Sequence, residues 1–154
     1  MPAYDAQDVA LMEAAIAQAR AGEAEGEVPV GAVVALEGRI IARAHNQPIA
    51  LRDPTAHAEI LALRAAGAAL HSYRLPGAAV YVTLEPCVMC IGAMVIARIA
   101  RLVFGARDPK AGAAGSIYDI GRDGRLNHRL EVYSGLLEAQ CAELLSGFFA
   151  RRRG

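Results

Sequence analysis

The 154-residue chain reads as a three-layer α/β protein, a five-stranded mixed sheet with helices on both faces. Three observations predict this. Segments of helical period alternate with strand-like ones, a pattern that calls for a sheet covered by helices. The first two strand-like segments are joined by a two-residue turn, so the sheet contains an antiparallel pair. More than twenty residues separate the fourth strand from the fifth, too many for a tight hairpin and enough for a crossover that leaves those strands parallel.

Val9, Met12, Ile16 and Ala19 recur near helical period and predict a first helix that stops around Gly22 to Gly26. Val30 to Leu36 and Arg39 to Ala44 are strand-like, with Glu37-Gly38 as the turn between them. A loop holding Asn46 and Pro48 leads to a second helix that carries His57 and ends near Gly67. Pro76-Gly77 turns into the strand Ala78 to Thr83, followed by a helix carrying Cys87 and the strand Arg101 to Gly105. A glycine-rich loop precedes the short strand Leu130 to Tyr133, and Leu136 to about Arg152 closes the chain as a helix. We expect one domain over residues 1–154.

No apolar run is long enough to span a bilayer, and the start, Met1-Pro2-Ala3-Tyr4-Asp5, lacks a basic and apolar leader, so a soluble, cytoplasmic protein is expected. Net charge is zero, which argues against a general nucleic-acid binder, but the charge is unevenly spread. Residues 1–37 carry seven acids against Arg20, a balance of −6, while residues 38–154 carry fifteen bases against nine acids, a balance of +6. The basic part ends in Arg151-Arg152-Arg153, either an RNA contact or a solvated end. Of three cysteines, Cys141 falls at helical spacing with Leu137, Leu144, Leu145 and Phe148 and reads as a core residue.

The chemistry is concentrated in His57-Ala58-Glu59 and Pro86-Cys87-Val88-Met89-Cys90. One imidazole and two thiols can hold a zinc ion and leave its fourth tetrahedral position to water, the arithmetic of a catalytic rather than a structural site. Pro86 suits a first helical position, which places Cys87 and Cys90 three apart on one helix face. His57 and Glu59, only two apart, reach one centre together if they occupy the first turn of their helix. Two thiolates and a neutral imidazole cancel the charge of the ion, so its water is acidified less than in an all-histidine site; a base is needed, and Glu59 supplies it. Taken alone, Cys-x-x-Cys also fits a redox pair, a buried thiol pair or half of a structural zinc site, and His-x-Glu alone says less still.

These motifs, with Val28-Pro29-Val30-Gly31-Ala32-Val33, Asn46, Asp53-Pro54-Thr55, Tyr81-Val82-Thr83-Leu84-Glu85, Val103-Phe104-Gly105-Ala106-Arg107-Asp108 and Asn127-His128-Arg129, closely resemble the bacterial tRNA-specific adenosine deaminases, the TadA family. The resemblance runs from the first helix to Phe148-Phe149. It implies a cytidine-deaminase-like fold whose fourth and fifth strands are parallel. The reaction it implies is the hydrolytic, zinc-dependent conversion of the wobble adenosine of an arginine tRNA anticodon to inosine, with one zinc per chain. It implies His57, Cys87 and Cys90 as the metal ligands and Glu59 as the proton shuttle. It further implies a homodimer, to which the apolar helix Ile91 to Ile96 could contribute an interface. Asn46, Val28, Pro29 and the backbone of Ala58 would meet the base; Ala106, Arg107, Asp108, Lys110, Phe148 and Phe149, with the basic end Arg151 and Arg152, would meet the flanking RNA. Glu85 reads either as part of the site or as a support for its turn. The rival readings are a deaminase of free guanine, cytosine or deoxycytidylate on the same fold, and a zinc-stabilised binding protein; the latter has no use for Glu59 beside an open metal position.

Overall fold

The first helix begins where Asp5 and Asp8 cap each other. In the computed structural model, which describes residues 3–153 with the side chain of Arg153 excepted, the Asp8 amide donates to Asp5 Oδ1 (2.8 Å) and the Asp5 amide to Asp8 Oδ2 (3.0 Å), opening α1 (Ala6–Ala24). Met1, Pro2 and the Arg153 side chain, all singled out above, lie outside the described residues.

Strands β1 (Gly31–Leu36) and β2 (Arg39–His45) pair antiparallel around the expected turn. Glu37 (φ 53°) and Gly38 (φ 77°) are both left-handed, the backbone of a two-residue turn whose twist matches the strands it joins. β1 then pairs antiparallel with β3 (Ala79–Leu84), β3 pairs parallel with β4 (Arg101–Ala106), and β4 parallel with β5 (Glu131–Ser134), giving the order β2-β1-β3-β4-β5. The mixed five-stranded sheet and the parallel fourth and fifth strands are as expected.

Strand alternation sorts the core into two layers. Ala32, Val34, Val80, Val82, Leu102 and Phe104 face α3 (Ala58–Leu70) and α4 (Val88–Ile96); Val33, Ala35, Tyr81 and Val103 face α1 and α5 (Glu138–Arg153). On α3 the buried apolar positions are Ala58, Ala62 and Ala66, and such small side chains let the helix lie close on the sheet. Cys141, on α5, is buried and its thiol is pushed up to about 12 by burial, as befits a core residue. Asp8, Tyr81 and Arg101 tie α1 to the sheet: Tyr81 Oη donates to Asp8 Oδ1 (2.5 Å), and Arg101 pairs with the same carboxylate (3.3 Å) while lying over the Tyr133 ring.

Two elements depart from expectation. A one-turn helix α2 (Pro48–Leu51) follows Asn46, because the buried Glu27 carboxylate accepts the amides of Ile49 (3.2 Å) and Ala50 (2.8 Å) that such a short helix leaves unpaired. Helix α3 passes through Gly67 to Leu70 and stops at His71, whose left-handed backbone (φ 52°) does the work often given to glycine. Among the described residues no helix is long and apolar enough to cross a membrane.

α1 comes close to β1 at Gly31: a Cβ there would lie 1.9 Å from the Ala15 carbonyl oxygen and 2.5 Å from the Ala19 nitrogen. Gly31→Ala should therefore lower stability by about 1–3 kcal/mol in urea denaturation. Burial works against the Asp8 carboxylate, but hydrogen bonds from Tyr81 and Asp5 and the Arg101 charge outweigh it and hold its pKa below the usual 3.8. A depressed folded value means stability that is present above pH 3.8 and lost as the pH falls below it. Asp8→Asn should cost stability at pH 7 and show a shallower further loss on acidification than the parent.

Candidate active site

The site forms at the carboxyl ends of β3 and β4, beside the point where β3 has an antiparallel neighbour on one side and a parallel one on the other, the place where open α/β sheets bind ligands. Two helix N-termini meet there. His57 is the N-cap of α3 and Cys87 the N-cap of α4, both with extended backbone. This corrects the expected positions by a residue or more: His57 stands just ahead of the first turn that Glu59 occupies, and Pro86 precedes the cap instead of opening the helix. Cys90 then lies in the first turn of α4, so both sulfurs face the α3 terminus.

His57 Nδ1 lies 3.6 Å from Cys87 Sγ and 3.5 Å from Cys90 Sγ. A tetrahedral zinc with ordinary Zn–N and Zn–S bonds requires an N···S separation of roughly 3.6 Å. All three donor atoms fall within 4.8 Å of one another, and they are the one such group among the described residues. The hydrogen bond from Cys90, and then His57, pull the Cys87 thiol down to about 3, so thiolate is the favoured form of Cys87.

Glu59 is 4% exposed, and burial pushes its carboxyl up to about 7, near the value that makes a group an efficient proton carrier at neutral pH. Its helix is held from outside. Asn46 Oδ1 accepts the Ala58 amide (2.8 Å), the Gln47 amide donates to the Ala56 carbonyl (3.0 Å), and the Thr55 amide and hydroxyl both donate to Asp53 Oδ1. Asn46 thus caps the α3 terminus, and its amide nitrogen has no partner among the described residues.

A cavity of about 350 Å³ opens at the ends of β3 and β4, walled by Val28, Leu84, Phe149, Arg107, Asp108 and Lys110. It brings together Arg107, Asp108, Lys110 and Phe149, half of the residues singled out for RNA contact. Phe149 is 47% exposed and Lys110 has no ion-pair partner among the described residues. Other expected contacts lie elsewhere. The Ala106 side chain packs in the α1/α5 layer and its carbonyl accepts the Glu85 amide; Pro29 is buried; and Phe148 is 7% exposed with the Arg152 guanidinium over its ring (4.5 Å). Arg151 pairs with Glu23, and Arg152 donates to the Gly26 carbonyl (2.9 Å), so both arginine heads dock on the end of α1. Glu27 was missed from the sequence, where it is one of several acids around Glu23 and Glu25.

Residues 5–106 match the cytidine and deoxycytidylate deaminase zinc-binding region. The tRNA-specific adenosine deaminase of Bacillus subtilis (strain 168) is 48% identical over 147 residues, 96% of this chain and 91% of that protein. A structure solved in a study of A-to-I editing by tRNA:A34 deaminases at the wobble position of transfer RNA superposes with a TM-score of 0.86 at 50% identity, covering 88% of this chain and 99% of the other. The guanine deaminase of Nitrosomonas europaea superposes at 0.80 with 31% identity, over 97% and 88%. With the zinc-binding region matched over residues 5–106, about two thirds of the chain, and likeness to its relatives over most of both chains, the chain belongs to the cytidine and deoxycytidylate deaminase family, in its tRNA-specific adenosine deaminase branch.

Proposed function

We propose that residues 1–154 form one zinc-dependent deaminase domain that hydrolyses adenosine to inosine at the wobble position of an arginine tRNA anticodon. The observation that carries the reading is a buried Glu59, shifted up to about 7, beside a three-donor His/Cys/Cys cluster, in a chain whose groove at the ends of β3 and β4 holds exposed cations and an exposed aromatic ring. His57, Cys87 and Cys90 would hold the ion. When bound, it supplies the Lewis acidity that makes water a nucleophile at neutral pH. Glu59 accepts the proton of the attacking water and returns protons to the purine ring nitrogen and to the departing amine, so that ammonia leaves neutral. The amide nitrogen of Asn46, unpartnered among the described residues, would donate to the base edge while its oxygen holds the helix terminus. Phe149 offers a face on which a splayed base stacks, and Arg107 and Lys110 offer charge to phosphate.

The competing reading, a free-base deaminase, draws on the likeness to guanine deaminase. A free base has no phosphate for Arg107 and Lys110 to neutralise, which favours the RNA reading. A cytoplasmic homodimer is part of the proposal. The groove of about 540 Å³ between α3 and α4, lined by Ile60, Leu63, Tyr73, Ala93 and Ile96, supports a second copy packing there, since Ile96 is 69% exposed.

Metal analysis of protein purified without chelator should find one zinc per chain. Glu59→Ala should keep that zinc and lose turnover by about 10²–10⁴-fold, since it removes a proton carrier and no ligand. Near-parental turnover by this variant would remove Glu59 from the reaction. With an arginine tRNA anticodon stem-loop and free adenosine, guanine and cytidine offered in parallel, inosine should form in the stem-loop; preference for free guanine or cytidine would overturn the RNA assignment. Lys110→Ala should weaken stem-loop binding and lower the slope of log affinity against log salt by about one phosphate's worth. An unchanged slope would place Lys110 outside the RNA contact.

A further inference from the structure

Glu85 is 2% exposed and no cation pairs with it among the described residues. Its two oxygens accept four hydrogen bonds from a single stretch of chain: Oε1 from the Asp108 amide (3.0 Å) and the Ser116 hydroxyl (2.5 Å), Oε2 from the amides of Ala114 (3.0 Å) and Ser116 (3.0 Å). The stretch closes tightly around the carboxylate, for a Cβ at Gly112 would lie 2.3 Å from Glu85 Cδ. On the other side Glu85 is joined through Pro86 to Cys87, and the Pro86 carbonyl accepts the Ala113 amide (2.8 Å). Burial alone would raise this carboxyl; the hydrogen bonds from Ser116, Asp108 and Ala114 outweigh it and hold the pKa below its usual value.

We propose that Glu85 is a positioning residue for substrate recognition: its carboxylate fixes the 108–116 segment against the metal-binding turn, so that Asp108 and Lys110 stand at a set distance from the reacting base. The proposal rests on the RNA reading above. Glu85 touches no substrate and takes no proton; it acts through Asp108 and Lys110, which wall the groove. The bond pattern sets a graded expectation. In Glu85→Gln the amide can turn its nitrogen toward the Ser116 hydroxyl, keeping the Ala114 and Ser116 amides on its oxygen and losing Asp108 alone. In Glu85→Ala all four bonds go, and Ser116→Ala removes one.

Stem-loop kinetics, zinc content and amide hydrogen exchange test it together on the zinc-loaded full chain. KM for the stem-loop should rise about tenfold in Glu85→Ala and less in Glu85→Gln and Ser116→Ala, with kcat at saturating RNA and zinc content near parental. Exchange should quicken at Asp108, Ala114 and Ser116 in Glu85→Ala and at Asp108 alone in Glu85→Gln, while Ile91 in α4 keeps its rate. A defect carried by kcat with unchanged KM, or lost zinc, would make Glu85 part of the metal turn and overturn the proposal, as would unchanged exchange at those amides. The conservative Gln and Ser116 variants keep the test alive if Glu85→Ala does not fold. A parent that deaminates only free guanine or cytidine defeats the RNA reading separately, and with it the role in RNA recognition, whatever the exchange rates show of the clamp.

Discussion

Everything at the site depends on two helix starts being brought to one point. Helix N-termini carry unpaired amides and a partial positive charge, and here the capping residues themselves, His57 and Cys87, belong to a cluster that could hold a metal ion and are not the usual side-chain caps; neither makes a capping hydrogen bond to its own helix. The positive ends of α3 and α4 therefore favour thiolate and a negatively charged nucleophile. The convergence comes from the sheet. β3 lies between an antiparallel and a parallel neighbour, so α3, arriving from β2, and α4, leaving β3, both start at its carboxyl end. The tight approach at Gly31 and the Asp8–Tyr81–Arg101 contacts hold the opposite face of the same strands to α1.

Three buried glutamates show how one residue type is put to different ends by its hydrogen bonds. Glu85 receives three amides and a hydroxyl, and its charged form is stabilised despite burial. Glu27 receives two amides from α2 and anchors the loop that follows Asn46. Glu59 is buried like the other two, and burial outweighs its backbone amide, the nearby His57 and the Cys90 thiol, so that its carboxyl rises to about 7. A carboxylate surrounded by fixed donors is a structural anchor; one deprived of them is a group that exchanges protons near neutrality.

The charge asymmetry of the chain has a comparable double use. The acidic first part and the basic end meet in space: Arg151 pairs with Glu23 and Arg152 reaches the Gly26 carbonyl. Part of what looks in the sequence like an attraction for RNA is thus spent on docking α5 against the end of α1, which in turn carries Phe149 to the groove. Lys110 remains unpaired among the described residues, on a segment held by Glu85.

What the sequence determined by itself is what short-range spacing controls. Period-2 and period-3.6 patterns placed the strands and four of the helices, Glu37-Gly38 placed the hairpin, and His57, Cys87 and Cys90 were legible as candidate donors to one centre with the Glu59 carboxylate close by, since ligand chemistry favours those residue types in those pairs. The tertiary structure decided which neighbours share a function. Phe148 and Phe149 are adjacent in sequence, yet one packs beneath Arg152 and the other walls the groove, because successive helical positions point about 100° apart and only the packed sheet says which direction is inward. Glu27 and Glu85 carry no local signal, for the amides they hold come from residues more than twenty positions away. Helix α2 was illegible for the same reason: it is too short to stand on its own propensity and exists because a distant carboxylate satisfies its first turn.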